Sequence, residues 1–380
     1  MYKSFVVLAL AAPFAVFAAP INKRQTPSLA ATVLKFADVL NQFEAQFYQA
    51  AMSKFVDSDY TDAGFVSSRI PLEQFTIIQN DETLHSSFLQ SGLAALGESP
   101  VTSCKFNLDA ATKDVATMTA TARVVENLAV SAILGAAPLV GDPVILQAAA
   151  SILTVEAKHQ SMLNVLSSTG SSIPSAFDIP LAPSEVLAIA APFFDGPCDL
   201  GIPAFPTLTI TNDGPVTPGT KLTLKSDAIN GTICEDELFC QMLLGGFPNS
   251  ITVPFNNCVV PAGLNGPMAI WVTSDEQPLL FNSVDRQTNN NKLVAGPTMT
   301  FVDTQPQTLV QMLRAENAGT VTSKVITGGE ASSGSGSGTN STSSVNNGVT
   351  DGGVPVLTTG FSADGKINVL GWNVTDPQGQ

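Results

Sequence analysis

Between Ser28 and Ser168 the chain carries four long stretches in which apolar residues recur three and four apart with little Pro or Gly inside them. That is the period of an amphipathic α-helix, and four such stripes must be buried against one another. We place helix A at 28–53, B at 71–96, C at 112–137 and D at 143–168. Pro71 sits near a helix start, Gly97 just past an end, and Asp142-Pro143 supplies an N-cap followed by a first-turn proline. The link from B to C, Gly97 to Ala111, runs fifteen residues without helical periodicity. Extended, it reaches roughly 50 Å against roughly 39 Å for a 26-residue helix, so it can cross the full bundle. The expected unit is a four-helix bundle over 28–200 with one long crossover and a fifth helix, near Ser184 to Phe194, packed outside.

Beyond about Phe205 the texture changes to short alternating runs such as Leu208-Thr-Ile-Thr, Lys221-Leu-Thr-Leu and Met268-Ala-Ile-Trp-Val, broken by Pro, Gly and Asn. This predicts a small antiparallel β-sandwich over 205–305. Residues 306–380, with a Gly, Ser, Thr and Asn-rich core at 328–353, read as a low-complexity flexible tail. The fold class is therefore α+β and multidomain, in keeping with 380 residues, more than one core usually fills.

At the other end, Met1 to Ala18 has Lys3, then an apolar run, with Val16 and Ala18 at the −3 and −1 positions of a cleavage site. This reads as a signal peptide, followed at 19–27 by a flexible lead or a propeptide cut after Lys23-Arg24. Three acceptors for N-glycosylation, Asn230, Asn340 and Asn373, agree with a secreted protein, extracellular or associated with a cell wall or matrix. No later stretch reaches eighteen consecutive apolar residues, so no membrane span is expected. A net charge of −15 leaves no surface for phosphate backbones and argues against nucleic acid.

Five cysteines without any Cys-x-x-Cys pair favour disulfides over metal ligation in an oxidising compartment. Cys104 and Cys198 form a natural N-terminal pair, and two of Cys234, Cys240 and Cys258 should join, with spacing unable to say which.

The chemistry is concentrated in helices A to D. The chain has only two histidines, and each follows a glutamate by three residues: Glu82-Thr-Leu-His85 in B and Glu156-Ala-Lys-His159 in D. With twelve glutamates in 380 positions, chance placement of both is about one in a thousand. Helices A and C each carry one mid-helix glutamate, Glu44 and Glu126, on the apolar stripe. All six side chains thus point inward at similar height. Four carboxylates in an apolar interior lose solvation worth several kcal/mol each unless protons or cations compensate. Two divalent ions balance four carboxylates, and oxygen-rich ligation with one imidazole per ion suits Fe or Mn. One Glu from each of two helices with Glu-x-x-His from each of the others is the ligand pattern of dinuclear carboxylate bundles.

Around this constellation, Tyr48 is either a partner of the cluster or of radical chemistry there, or, the commoner case, a core-edge tyrosine with a wet hydroxyl. Arg123 is either a partner of a ligand carboxylate or a solvated arginine, and Asp81 and Glu73 read as surface charges. Trp271 and Trp372 suggest sugar stacking, but a core residue and an isolated tail residue are the commoner cases.

The segments Phe43-Glu-Ala-Gln-Phe-Tyr48, Asp81-Glu-Thr-Leu-His85, Arg123-Val-Val-Glu126, Leu134-Gly-Ala-Ala-Pro138, Val155-Glu-Ala-Lys-His159 and Ala190-Ala-Pro-Phe193 resemble the fungal secreted ferritin-like family. That family includes stress-response and late-sexual-development proteins and has a plant desiccation-related branch. The resemblance covers about 28–200 and implies a ferritin-like fold and a metal site in which Glu82 and Glu156 bridge the ions. It implies either dioxygen, peroxide or ferroxidase-type redox chemistry, or a non-catalytic structural or stress-protective role with a structural metal. Storage of iron in a closed cage fits poorly, since about 180 further residues would obstruct the shell.

Overall fold

In a computed structural model of the chain, residues 27–167, 169–288 and 292–314 are described, together with a strand pair at 360–361 and 368–369. The leader, Asn340, Asn373, Trp372 and the Gly/Ser-rich segment lie outside the described residues.

The helical region opens with α1 (Pro27–Lys54) and a six-residue α2 (Asp57–Asp62). The sequence Asp-Ser-Asp-Tyr-Thr-Asp of α2 has no apolar period and was not expected to be helical. It is held by the Asp59 carboxylate, which accepts from the Val56 amide at 2.8 Å, and by Tyr60, whose ring is fully buried. Then follow α3 (Arg69–Ala95), α4 (Val115–Ala136), α5 (Pro143–Ser167) and α6 (Pro183–Ala190). The ends are set by local chemistry. Gly97, with φ +77°, lets the Glu98 amide turn back to Leu93 O at 2.9 Å and stop α3. The Asp114 carboxylate caps α4 through the Thr117 amide at 2.7 Å, and Asp142 caps α5 through the Val144 amide at 2.8 Å.

Helix α1 packs chiefly on α3, and α4 on α5, giving two layers whose apolar stripes face each other. The crossover from α3 to α4 is pinned to the chain after α6: the Asn107 amide donates to Phe193 O at 2.7 Å, and Cys104 is bonded to Cys198. Helix α4 is buried at 19 of its 22 residues, because the bundle covers one side and α6 the other. A side chain at Gly135 would meet Leu181 O at 1.8 Å, so only glycine permits this approach. By length and composition α4 could cross a membrane, but 72% of its most apolar window is buried inside the protein.

The second region comprises β1 (Thr209–Ile210), β2 (Leu224–Lys225), β3 (Phe239–Leu244), β4 (Ile251–Pro254), β5 (Gly266–Thr273) and β6 (Leu293–Val302), with α7 (Ser283–Thr288) between the last two. Strands β4-β3-β5-β6 form one antiparallel sheet in that order, and β1-β2 a separate ribbon. Alternate residues of the sheet enter different cores. Leu243, Ala269, Trp271, Met299 and Phe301 pack with Leu40, Leu128, Val186 and Ile189 of the helices. Cys240, Met242, Met268, Ile270 and Val272 pack under Leu208, Leu222 and Val260. The layer opposite the sheet is therefore supplied on one face by the helical domain itself. Trp271, 1% exposed, is a core residue and offers no face to a sugar.

Cys240 is bonded to Cys258, leaving Cys234 exposed and free. Residues 306–314, at the head of the expected tail, carry α8 (Thr308–Gln311). They lie against the helices, with Val310 fully buried and Leu313 O accepting from the Val66 amide at 3.0 Å. The last two strands, β7 (Gly360–Phe361) and β8 (Asn368–Val369), pair with each other.

Candidate metal centre

All six sequence-predicted side chains meet at the middle of the bundle: Glu44 from α1, Glu82 and His85 from α3, Glu126 from α4, Glu156 and His159 from α5. The four carboxylates are 0–2% exposed. One ligand atom from each of Glu82, Glu126, Glu156 and His159 lies within 4.8 Å of all the others, a group that could hold a metal ion.

Both imidazoles turn Nδ1 toward this centre, with ring centroids 6.3 Å apart. His159 Nδ1 is 3.0 Å from Glu82 Oε1, 3.4 Å from Glu126 Oε2 and 3.7 Å from Glu156 Oε2. His85 Nδ1 is 3.2 Å from Glu156 Oε1 and 3.5 Å from Glu82 Oε2. Glu82 and Glu156 thus each present one oxygen to each histidine, while Glu126 sits on the His159 side.

These approaches lack hydrogen-bond alignment. Glu44 Oε2, both oxygens of Glu82 and of Glu156, Glu126 Oε2 and Nδ1 of both histidines have no hydrogen-bond partner among the described residues, although all are buried. Eight of the fifteen buried side-chain atoms without a hydrogen-bond partner among the described residues fall in these six residues, a concentration that calls for a ligand.

The electrostatics state the same need. Burial, then the charges of Glu82, Glu156 and Glu126, push the Glu44 carboxyl well above the usual carboxylate range. Burial also raises Glu126, against the lowering pull of His159. For His85, burial disfavours the imidazolium but Glu156 and Glu82 outweigh it and lift the ring to about 9. His159 is likewise raised by Glu126, Glu156 and Glu82 against burial. These shifts favour the protonated forms of Glu44, Glu126 and both imidazoles.

Two supporting residues stand beside the cluster, one of them, Asp81, against its sequence reading and the other, Tyr48, in the less common of its two readings. Asp81, expected to be a surface charge, places Oδ2 3.2 Å from His159 Nε2, on the outward side of the ring. A carboxylate there fixes the ring so that Nδ1 faces the centre. Its adjacency to Glu82 was the available signal, but the partner lies on another helix, 78 residues away. Tyr48 is no core-edge residue: it is fully buried and its hydroxyl donates to Glu126 Oε1 at 2.5 Å. Burial and the Glu126 charge raise that phenol well above its ordinary range.

Arg123 meets neither expectation. It is 4% exposed and forks onto Asp303 at 2.7 and 2.9 Å, with Nε on Asn164 at 2.7 Å and its plane 3.7 Å over the Phe301 ring. It ties α4 to the end of β6. Glu73 is a surface charge, 3.6 Å from Arg69.

Residues 30–169 match the model of the ferritin-like domain family, the span that holds all six cluster residues. No curated protein matches the sequence. The N-terminal helical region is thus a ferritin-like domain, followed by small antiparallel sheets.

Proposed function

We propose that this domain holds two divalent ions, Fe or Mn, on Glu44, Glu82, His85, Glu126, Glu156 and His159, and supports redox chemistry on dioxygen, peroxide or Fe(II) in a secreted protein. The observation that carries this is the set of eight buried, unpartnered donor atoms converging from four helices. The residues fit the ions in charge and kind, with four carboxylates against two divalent cations and a donor set of oxygen and imidazole without thiolate. Glu82 and Glu156, each facing both histidines, would hold the ions together with Glu44 and Glu126. Bound metal would supply one-electron steps in a water-poor cavity. The chain's own part is to orient: Asp81 holds His159 and Tyr48 holds one oxygen of Glu126, leaving the other free for an ion. Two disulfides agree with an oxidising, extracellular setting.

Elemental analysis of natively secreted protein, before any chelating step, should find about two Fe or Mn per chain. His85→Ala/His159→Ala should abolish two-metal loading and leave the helical circular dichroism unchanged. A double variant with wild-type metal content, or a native protein that takes up neither Fe(II) nor Mn(II), overturns the assignment.

The closed burial of the carboxylates favours a second reading, a structural metal in a protective or wall-associated protein. An Fe(II)-oxidation and peroxide-consumption assay on loaded protein separates the two, since a structural ion turns over neither.

A further inference from the structure

A narrow cavity of about 50 Å³ runs inside the bundle between α1, α4 and α5. Its outer part is lined by Val33, Ala132, Ala136 and Ile145, and its inner end by Asn41 and Glu156. From Ala149 at the outer part to Glu156 the distance along α5 is roughly 10 Å. Both inner groups are unsatisfied: Asn41 is 5% exposed and its Oδ1 has no partner, nor has either oxygen of Glu156.

We infer that this cavity is a binding site for a small apolar molecule, dioxygen, and leads it to the Glu156 side of the cluster in preference to peroxide or bulk water. The inference deepens the proposed function and rests on it for the identity of the reactant. Size sets the first limit. A water needs roughly 10–15 Å³ on this measure, so the cavity takes a few heavy atoms and no acyl chain. Polarity sets the second. A water keeps its place only with two or more polar partners, and the outer part offers none, so it stays dry. Hydrogen peroxide entering there would leave its hydroxyls unpaired, at about 1–3 kcal/mol for each bond lost, whereas dioxygen loses none. Only at the inner end, beside Asn41 and Glu156, do polar groups wait.

The test uses full-length, metal-free, diamagnetic protein, so its outcome does not depend on metal loading. Xenon NMR should show one saturable site. Dissolved dioxygen, which is paramagnetic, should broaden the Val33 and Ala132 methyls several-fold more than those of Leu163 and Leu166, which are also buried but lie outside the cavity. Ala132→Leu and Ala136→Leu, both in the outer part, should each abolish both effects, with folding checked by circular dichroism. Wild-type methyls that broaden no more than Leu163, or folded variants that keep the xenon site, overturn the inference, and the wild-type measurement decides if neither variant folds. Gas uptake in a protein that never loads metal removes the dinuclear reading and leaves the cavity, while metal loading without gas uptake does the reverse.

Discussion

Arg286 and Glu185, at the seam between α6 and the sheet, are as deeply buried as Glu82 and Glu156 in the bundle centre. At the seam the fork is complete. Arg286 Nε and Nη2 donate to the two oxygens of Glu185 at 2.7 and 2.8 Å. Its remaining hydrogens reach Leu280 O, Phe281 O and Pro180 O at 2.6–2.8 Å. Asp38, also fully buried, is likewise filled, by Ser86, Gln90 and Gln42 at 2.6–3.1 Å. In the cluster the donors and acceptors are equally buried and left open. A buried charge with every bond made belongs to the architecture, whereas one held open by rigid helices calls for something from outside.

The comparison predicts opposite signs on removing one member. Arg286→Met should cost about 3–5 kcal/mol in denaturant unfolding, because Glu185 is left charged and unpaired, and adding Glu185→Leu should recover most of that loss. A single variant within about 1 kcal/mol of wild type would break the contrast from the seam side.

In the cluster, Glu44→Leu should stabilise the metal-free protein by about 1–4 kcal/mol, since it removes a carboxyl that burial and three neighbouring carboxylates disfavour. The same variant should lose the metal-linked gain, about 2.7–4.1 kcal/mol when free ion stands at 100–1,000 times its Kd. Calorimetric melts with and without Mn(II) read both effects, and a metal-free Glu44→Leu protein less stable than wild type contradicts the reading.

His85 sharpens the contrast through pH. Its folded pKa is raised to about 9 from 6.5, so its contribution to metal-free stability is full below about 6.5 and is lost as pH rises through 9. A loss of a few kcal/mol over that window is expected, smaller in His85→Ala, where only His159 is left to contribute, and absent once metal is bound. Stability flat from pH 6.5 to 9 in the metal-free wild type would show that no such proton is held.

The smallest expected effect is that of Asp81→Asn, which should weaken metal binding by about 10–100-fold in a competition titration while leaving the fold intact. Unchanged affinity would return Asp81 to the surface role its sequence position suggested.

The bundle and the six cluster residues were legible because a helix repeats its faces locally. Once Glu44, Glu82, Glu126 and Glu156 fall on apolar stripes, four packed helices must bring them together. Partners set by the third dimension were not legible. Arg123 and Asp303 stand 180 residues apart, and Tyr48 meets Glu126 across 78. In the second region, β5 is buried at all eight positions, so its sequence says that both faces are covered but not by what. The four-stranded sheet carries the residues flanking the β1-β2 ribbon on one face and α6 with the bundle on the other, and only the antiparallel character of these strands was legible.

The bond between Cys104 and Cys198 closes a covalent ring around α4, α5 and α6. Glu126, Glu156 and His159 belong to that ring, and Glu44, Glu82 and His85 to the open strand before it. Topologically the cluster is a joint between a loop and a thread. A single backbone cut anywhere from 105 to 197 therefore leaves one connected molecule until the bond is reduced, whereas a cut between α3 and Cys104 releases half of the donors at once.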